Sequence, residues 1–119
     1  SIGGFMSNIG VEVKGDIIIA HLKGDLYIEN MKEAENVLNE QVSKRPKVIA
    51  LDCLKLDYID SSAIASLVRL VKNAMSKDIE LLFYDLNSSI MQIFQTVNLD
   101  KFFTLTTRIK FEEKYKFKL

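Results

Sequence analysis

The segment Val48–Ala63, VIALDCLKLDYIDSSA, contains an abrupt change of hydrophobic pattern. Val48 to Leu54 form a short, nearly continuous apolar run, which is typical of a central β-strand covered on both faces. From about Ser61 to Ser76, apolar residues recur instead at the spacing of an amphipathic helix. The segment therefore predicts a buried strand followed by a helix, with two serines at the junction.

Two residues at this junction are candidates for the helix N-cap, and the flanking hydrophobic residues decide between them. If Asp60 is the cap, Ile59 and Ile64 occupy the positions that form a hydrophobic staple, whereas a cap at Ser61 leaves no such pair. We therefore place Asp60 at the cap and Ser61 at the first helical position, where a side chain faces outward. Taken alone, Asp-Ser-Ser before an apolar helix is ordinary helix-start chemistry. A helix N-terminus also attracts anions, so this position can hold a phosphate.

Strands and helices alternate on either side of this junction. The predicted elements before it are a hairpin of Ile9–Val13 and Ile17–Lys23, ended by Gly24-Asp25, and a helix capped by Asn30 and closed by Lys44-Arg45-Pro46. The predicted elements after it are a strand over Glu80–Leu86, a helix that Asn87 caps and Asn98 ends, and a short strand over Phe102–Leu105. This order predicts an α/β domain in which amphipathic helices cover a mixed central β-sheet.

The end of the chain does not follow this scheme. Most odd positions from Ile109 to Leu119 are apolar, and the positions between them are charged. Period two fits this pattern better than a helical period, so it predicts a Lys-rich edge strand over residues 108–119, since lysines commonly protect such edges. The strand would pair either within the chain or with a second copy, which would give a homodimer.

Composition argues against several classes of function. The 16 Lys and Arg residues balance 16 Asp and Glu residues, which argues against direct binding of nucleic acid. No apolar run approaches the roughly 18 residues of a membrane span. The single cysteine, Cys53, cannot form an internal disulfide, so a cytoplasmic protein is expected. Met6 is the expected native start, which makes residues 1–5 a remnant of cloning and residues 6–119 a single domain.

Most of the chain resembles the STAS domain, the fold of bacterial anti-sigma-factor antagonists and of the cytoplasmic parts of sulphate transporters. The motifs that carry the resemblance are Leu22–Leu26, the buried strand ending in Asp52, Tyr58–Ser62 with its amphipathic helix, Glu80–Phe83, the helix after Asn87, and Asn98–Phe103. Two positions depart from the family pattern, because Ala63 and Ala65 stand where glycine is common.

The resemblance implies a protein-binding switch. In antagonists of this family, the first serine after the aspartate is phosphorylated by a partner that is both serine kinase and anti-sigma factor, and that role falls on Ser61. The unphosphorylated form would bind this partner and so release a sigma factor, and a phosphatase would restore it. No cofactor is implied. The partner-binding residues that the resemblance indicates are Asp25, Asp60, Ser62, Ala65, Ser66 and Arg69.

Two other functions remain open. The first is a STAS scaffold, or an accessory module of a transporter or signalling complex, that uses the same surface without phosphorylation. The second is a serine-dependent hydrolase, which needs a base, and the only histidine, His21, lies in a predicted strand. There is no Gly-x-Ser-x-Gly elbow, Walker loop or Cys/His metal cluster, and Asp52, Asp57 and Asp60 are better explained as solvated or capping residues than as magnesium ligands. We therefore predict a binding protein without catalytic residues or a metal.

Overall fold

The secondary structure alternates between strands and helices after an initial hairpin. The computed structural model describes residues 8–117, and its elements are β1 (Ile9–Lys14), β2 (Ile17–Leu26), α1 (Ile28–Ser43), β3 (Val48–Ile59), α2 (Ser61–Ser76), β4 (Glu80–Tyr84), α3 (Ser88–Thr96), a 3₁₀ turn (Leu99–Lys101), β5 (Thr104–Thr106) and α4 (Arg108–Tyr115). The strands form one sheet in the order β1-β2-β3-β4-β5, in which β1 pairs antiparallel with β2 and the other neighbours pair parallel. This architecture confirms the predicted α/β class and the mixed sheet.

Helices cover the two faces of the sheet unequally. On one face, α1, α2 and α3 pack over the larger apolar cluster, which also contains the buried Cys53. On the other face, α4 contributes Phe111 to a smaller cluster, whose sheet residues are Ile17, Ile19, Val48, Ala50, Leu82 and Tyr84. Because β2, β3 and β4 are parallel, α1, α2 and α3 all begin at the same edge of the sheet. Within residues 8–117 no helix is long and apolar enough to cross a bilayer.

The structure corrects the predicted start of α1. This helix begins at Ile28 after Tyr27, and Asn30 is its third residue, not its cap. The Oδ1 atom of Asn30 accepts a hydrogen bond from the Tyr27 backbone N–H at 2.9 Å, so the side chain caps the helix from inside. Asn30 Nδ2 also donates to the carbonyl of Asp25 at 2.8 Å. The prediction of Asn30 as N-cap is wrong: Asn30 lies inside the helix, and its side chain accepts from the backbone N–H of the residue that is the cap, Tyr27.

Several strand boundaries also differ from the prediction, while both predicted caps of the later helices are confirmed. β2 continues through Gly24 to Leu26, β4 ends at Tyr84, and β5 occupies Thr104–Thr106. Asn87 accepts from the Ile90 backbone N–H as the N-cap of α3.

β3 extends well beyond Leu54, where its apolar run ends, because two irregularities let it continue. Its pairing with β2 shifts between His21 and Lys23 and again between Gly24 and Asp25, so that β3 gains one residue at each place. The core-facing residues of β3 therefore advance first by two positions and then by three: Ile49, Leu51, Cys53, Leu56 and Ile59. A regular strand would have turned Lys55 and Asp57 towards the core, so the bulges follow from the three-residue spacing of apolar side chains.

The prediction of an edge strand at the end of the chain is wrong, because Arg108–Tyr115 form α4. Thr107 caps this helix by accepting from the Lys110 backbone N–H at 3.2 Å. Phe111 is buried and stacks on Tyr84 with ring centroids 5.5 Å apart, and Tyr115 packs one turn later. The second face of the sheet needs an apolar cover, which a helix lying across it supplies and an edge strand cannot.

The aromatic side chains of the tail pack within the chain. Lys116 ends α4 in the left-handed conformation, with φ 57°, and Phe117 then packs edge-on against Phe111 at 5.3 Å. A homodimer through this segment stays a prediction. Residues 118–119 of the tail and the expected cloning remnant, residues 1–5, lie outside the described residues.

Candidate functional site

Asp60 forms the junction between β3 and α2, as the sequence predicts. Its Oδ1 atom accepts from the Ala63 backbone N–H at 2.9 Å and from the Ser62 hydroxyl at 2.7 Å. Ile59 is buried and Ile64 packs against the same core cluster, in agreement with the predicted staple. Asp60 is therefore confirmed as the N-cap of α2.

Asp60 has a second function in the fold that the sequence did not reveal. Its Oδ2 atom accepts from the backbone N–H of Ile28, the first residue of α1, at 3.1 Å. The Asp60 backbone N–H donates to the carbonyl of Leu26 at 3.0 Å. Hydrogen bonds from the Ala63 N–H, the Ser62 hydroxyl and the Ile28 N–H hold the pKa of the carboxyl below its ordinary value of 3.8. One carboxylate thus caps two helices that begin 33 positions apart (61 − 28).

Ser61 differs from its neighbour Ser62 in that its hydroxyl is available. Ser61 is exposed at the first position of α2, and no group within residues 8–117 makes a hydrogen bond to its side chain. Ser62 is half-buried, and its hydroxyl is used by Asp60. Of the two serines, only Ser61 therefore offers a hydroxyl that does not serve the helix cap.

Asp25 lies beside this junction on the neighbouring strand. It pairs with Tyr58 in the parallel register of β2 and β3, and adjacent strands are about 4.8 Å apart. Its side chain is exposed, while its backbone carbonyl accepts from Asn30 and from Asn8. The structure thus brings Asp25 and Asp60 to the same edge of the sheet as Ser61.

The other predicted partner-binding residues follow one another along α2 but are not equally exposed. Ala65 is exposed, whereas Ser66 is only 1% exposed, and its hydroxyl has no hydrogen-bond partner within the described residues. The Arg69 guanidinium makes two hydrogen bonds to the Glu35 carboxylate, at 3.1 and 3.2 Å. Ser62, Ser66 and Arg69 consequently line a shallow groove of about 240 Å³ between α1 and α2.

Three exposed apolar side chains at the ends of β2 and β3, on the same edge of the sheet as Ser61, were not predicted as site residues. They are Tyr27, Ile28 and Tyr58, whose exposed fractions are 41%, 69% and 51%. Tyr58 lies three residues before Ser61, and Ile28 is bound through its backbone to Asp60. Large apolar residues grouped on a surface commonly mark a protein contact. Helical spacing could not reveal the exposure of Ile28, because this residue lies three positions before the buried Met31.

His21, the base that a serine-dependent hydrolase would use, is remote from Ser61. His21 lies between Asp52 and Glu12, with Nδ1 2.7 Å from Asp52 Oδ2 and Nε2 2.9 Å from Glu12 Oε1. Asp52 precedes Ile59 by seven positions in β3, which is roughly 20 Å along the strand. Within the described part of the chain, no group of three or more His, Cys, Asp or Glu side chains is arranged to hold a metal ion.

Acid should weaken the attachment of α1 to α2 through the Glu35–Arg69 pair. The Arg69 guanidinium holds the pKa of Glu35 below its ordinary value of 4.5 against the opposing effect of burial. This lowered pKa stabilises the fold above pH 4.5, and the contribution is lost as the pH falls through the pKa of the folded state. Glu35→Gln should therefore lower the melting temperature by roughly 2–5 °C at pH 7.

Thermal unfolding of wild type and Glu35→Gln between pH 3 and pH 7 measures this effect. The two curves should converge at the acid end, and Glu40→Gln, which removes the same charge from an exposed position of α1, is the matched control. A difference that persists unchanged at pH 3 would show that the side chain contributes through packing and not through its charge.

Comparison with known proteins identifies one family model and several solved structures with a similar fold. A model of the STAS domain family matches residues 8–113. A putative anti-sigma factor antagonist from Thermotoga maritima, TM1081, has a TM-score of 0.80 and 20% identity, covering 87% of this chain and 91% of that one. The Bacillus cell fate determinant SpoIIAA in its phosphorylated form has a TM-score of 0.70 and 13% identity, covering 90% and 98%.

A third similar structure, Mglu, is a much longer protein. It has a TM-score of 0.59 and 18% identity over 66% of this chain, and the chain spans only 19% of the length of Mglu. At these identities, the solved structures establish a shared fold and no more.

Proposed function

Because this chain belongs to the STAS domain family, we propose that it is an anti-sigma-factor antagonist controlled by phosphorylation of Ser61. Its unphosphorylated form would bind an anti-sigma factor that is also a serine kinase, and a phosphatase would reverse the modification. The observation that carries this proposal is the free, exposed hydroxyl of Ser61 beside a cap that occupies both Asp60 and Ser62.

Similar proteins support the proposal in two respects. TM1081 and SpoIIAA, which share this fold over nearly their whole length, are called anti-sigma factor antagonists. SpoIIAA exists in both a phosphorylated and an unphosphorylated form. We carry the same kind of control over to this chain, acting in the cytoplasm on transcription and without catalysis by the chain itself.

The surface around Ser61 has the composition of a protein-binding site. The acidic positions Asp25 and Asp60 adjoin the exposed Tyr27, Ile28 and Tyr58. Along α2, the partner would contact Ala65, Arg69 and the groove that contains Ser62 and Ser66. The two tyrosines and Ile28 would supply apolar contact area, and the carboxylates would orient the partner.

Phosphoryl transfer to Ser61 can be tested directly. Wild type, Ser61→Ala and Ser62→Ala are each incubated with ATP and every candidate serine kinase of the source organism, and intact mass is measured. We expect one phosphate on wild type and on Ser62→Ala and none on Ser61→Ala, because only the Ser61 hydroxyl is available. A phosphate that persists in Ser61→Ala would assign the modification elsewhere. No addition to wild type with any kinase would favour the scaffold function.

A further inference from the structure

A second polar cluster lies in the sheet before the first bulge of β3, whereas Ser61 follows the end of β3. This cluster has no part in the proposed function. His21 of β2 bridges Glu12 of β1 and Asp52 of β3, with contacts of 2.9 and 2.7 Å. The side chains of the three residues are 13–19% exposed. Lys14 lies 3.5 Å from the other oxygen of Glu12. On β4, the buried Tyr84 pairs with Asp52 in the sheet and lies within the electrostatic influence of its carboxylate.

Asp52 connects this cluster to the irregular part of β3. While Oδ2 contacts His21, Oδ1 accepts a hydrogen bond from the Leu54 backbone N–H at 3.0 Å. Leu54 is one of the two residues, with Cys53, that stand opposite Leu22 where the register shifts. The Asp52 carboxylate therefore satisfies a backbone donor that the bulge removes from the strand ladder.

The bulge at Leu54 determines how β3 reaches the candidate site. After it, Leu56 and Ile59 enter the core, and the next residue, Asp60, is anchored to the end of β2 and to both helices. A carboxylate can turn about its side-chain torsions, and His21 fixes the Asp52 carboxylate in the orientation that reaches Leu54. The contact from His21 thus acts on the backbone that leads to Ser61.

We propose that His21 is a positioning residue, which orients Asp52, stabilises the Leu54 bulge and thereby sets the geometry in which Ser61 is presented. The part of this inference that concerns phosphorylation rests on the proposed function. The part that concerns the backbone does not, because it makes a statement about the free protein alone.

Two substitutions of similar polarity separate the two contacts of His21. The amide nitrogen of His21→Asn occupies the place of Nδ1 and can donate to Asp52, whereas that of His21→Gln occupies the place of Nε2 and can donate to Glu12. Hydrogen exchange of the Leu54 amide and the amide chemical shifts of Ser61, Ser62 and Ala63 report on the bulge and on the site. Glu12→Gln is a third variant, which alters the far side of the cluster only.

We expect His21→Asn and Glu12→Gln to retain the wild-type amide chemical shifts at Ser61–Ala63. His21→Gln should change these chemical shifts. It should also speed hydrogen exchange at Leu54 about tenfold, which is the effect of losing one hydrogen bond to a charged group. Ser61 phosphorylation should slow several-fold in His21→Gln alone. Equal behaviour of the Asn and Gln variants would overturn the inference. If no kinase modifies wild type, the proposed function fails, while the exchange and shift data still decide whether His21 positions the site.

Discussion

Ser61→Asp is expected to fold normally and to bind the proposed anti-sigma partner roughly 30-fold or more weakly than wild type. Like charges brought together across an interface cost several kcal/mol, and each 1.4 kcal/mol changes the dissociation constant about tenfold. The substituted carboxylate would stand next to Asp60 and near Asp25, where the partner has to desolvate all three. A phosphate, with about −1.5 to −2 charges, should weaken binding further.

The folded state should tolerate the same charge. At the first position of α2, an added anion is favoured by the helix dipole by about 0.3–1 kcal/mol, and repulsion from Asp60 opposes this gain. The Ser61 side chain makes no hydrogen bond within residues 8–117, so the substitution removes none. The effect should therefore appear in affinity and not in thermal stability.

Calorimetric titration of the partner into wild type, Ser61→Asp and Ser61→Asn provides the measurement. Asparagine has the shape of aspartate without its charge, so Ser61→Asn should bind within roughly threefold of wild type if charge is the cause. Comparable weakening by both substitutions would instead indicate a steric effect, and equal affinity of Ser61→Asp and wild type would contradict a charge-controlled switch.

Phe111→Ala is expected to destabilise the fold by about 3–5 kcal/mol, a large part of the 5–15 kcal/mol of a typical domain. Phe111 is 1% exposed, and it is the buried residue through which α4 joins the second face of the sheet. Its ring stacks on Tyr84 and also contacts Tyr115 and Phe117, so its removal leaves a cavity among aromatic side chains.

Ile109→Ala is the matched control for this prediction. Ile109 is 64% exposed on α4, so its truncation should change stability by less than about 0.5 kcal/mol. In an edge strand, Ile109 and Phe111 would share one face, and both substitutions would have similar costs. Chemical unfolding of the two variants thus measures the cost of Phe111 and distinguishes a helix from a strand. Similar losses in both would contradict the helical tail.

The junction was predictable from sequence because its determinants are local. The Ile59–Ile64 pair selects Asp60 over Ser61 as the cap without any knowledge of the tertiary structure. That Asp60 also caps α1 was not predictable, because Ile28 is remote in sequence and contributes only a backbone N–H, which every residue but proline has.

The errors arose where tertiary packing overrides a local pattern. The alternation around Phe111 satisfies a strand period, but Phe111 and Tyr115 are also one helical turn apart, and only the uncovered face of the sheet decides between the two. In β3, apolar residues with a repeat of three positions fit neither the period of a strand nor that of a helix. The continuation of the strand to Ile59 is therefore evident only from its pairing with β2. The exposed Tyr27 and Ile28 were missed for a similar reason, since burial cannot be read from residue type.

Because of its two bulges, β3 should tolerate substitution of its exposed residues but not a change in its number of residues. Leu56 and Ile59 reach the core only because each bulge takes up one additional residue. Deleting a single residue between Leu54 and Asp57 would remove the additional residue that one bulge takes up. Asp60 would then lie on the opposite side of the sheet or shift its neighbours out of register. Across related chains, this part of β3 should therefore vary in its exposed side chains while the number of residues leading to the position of Ser61 stays fixed.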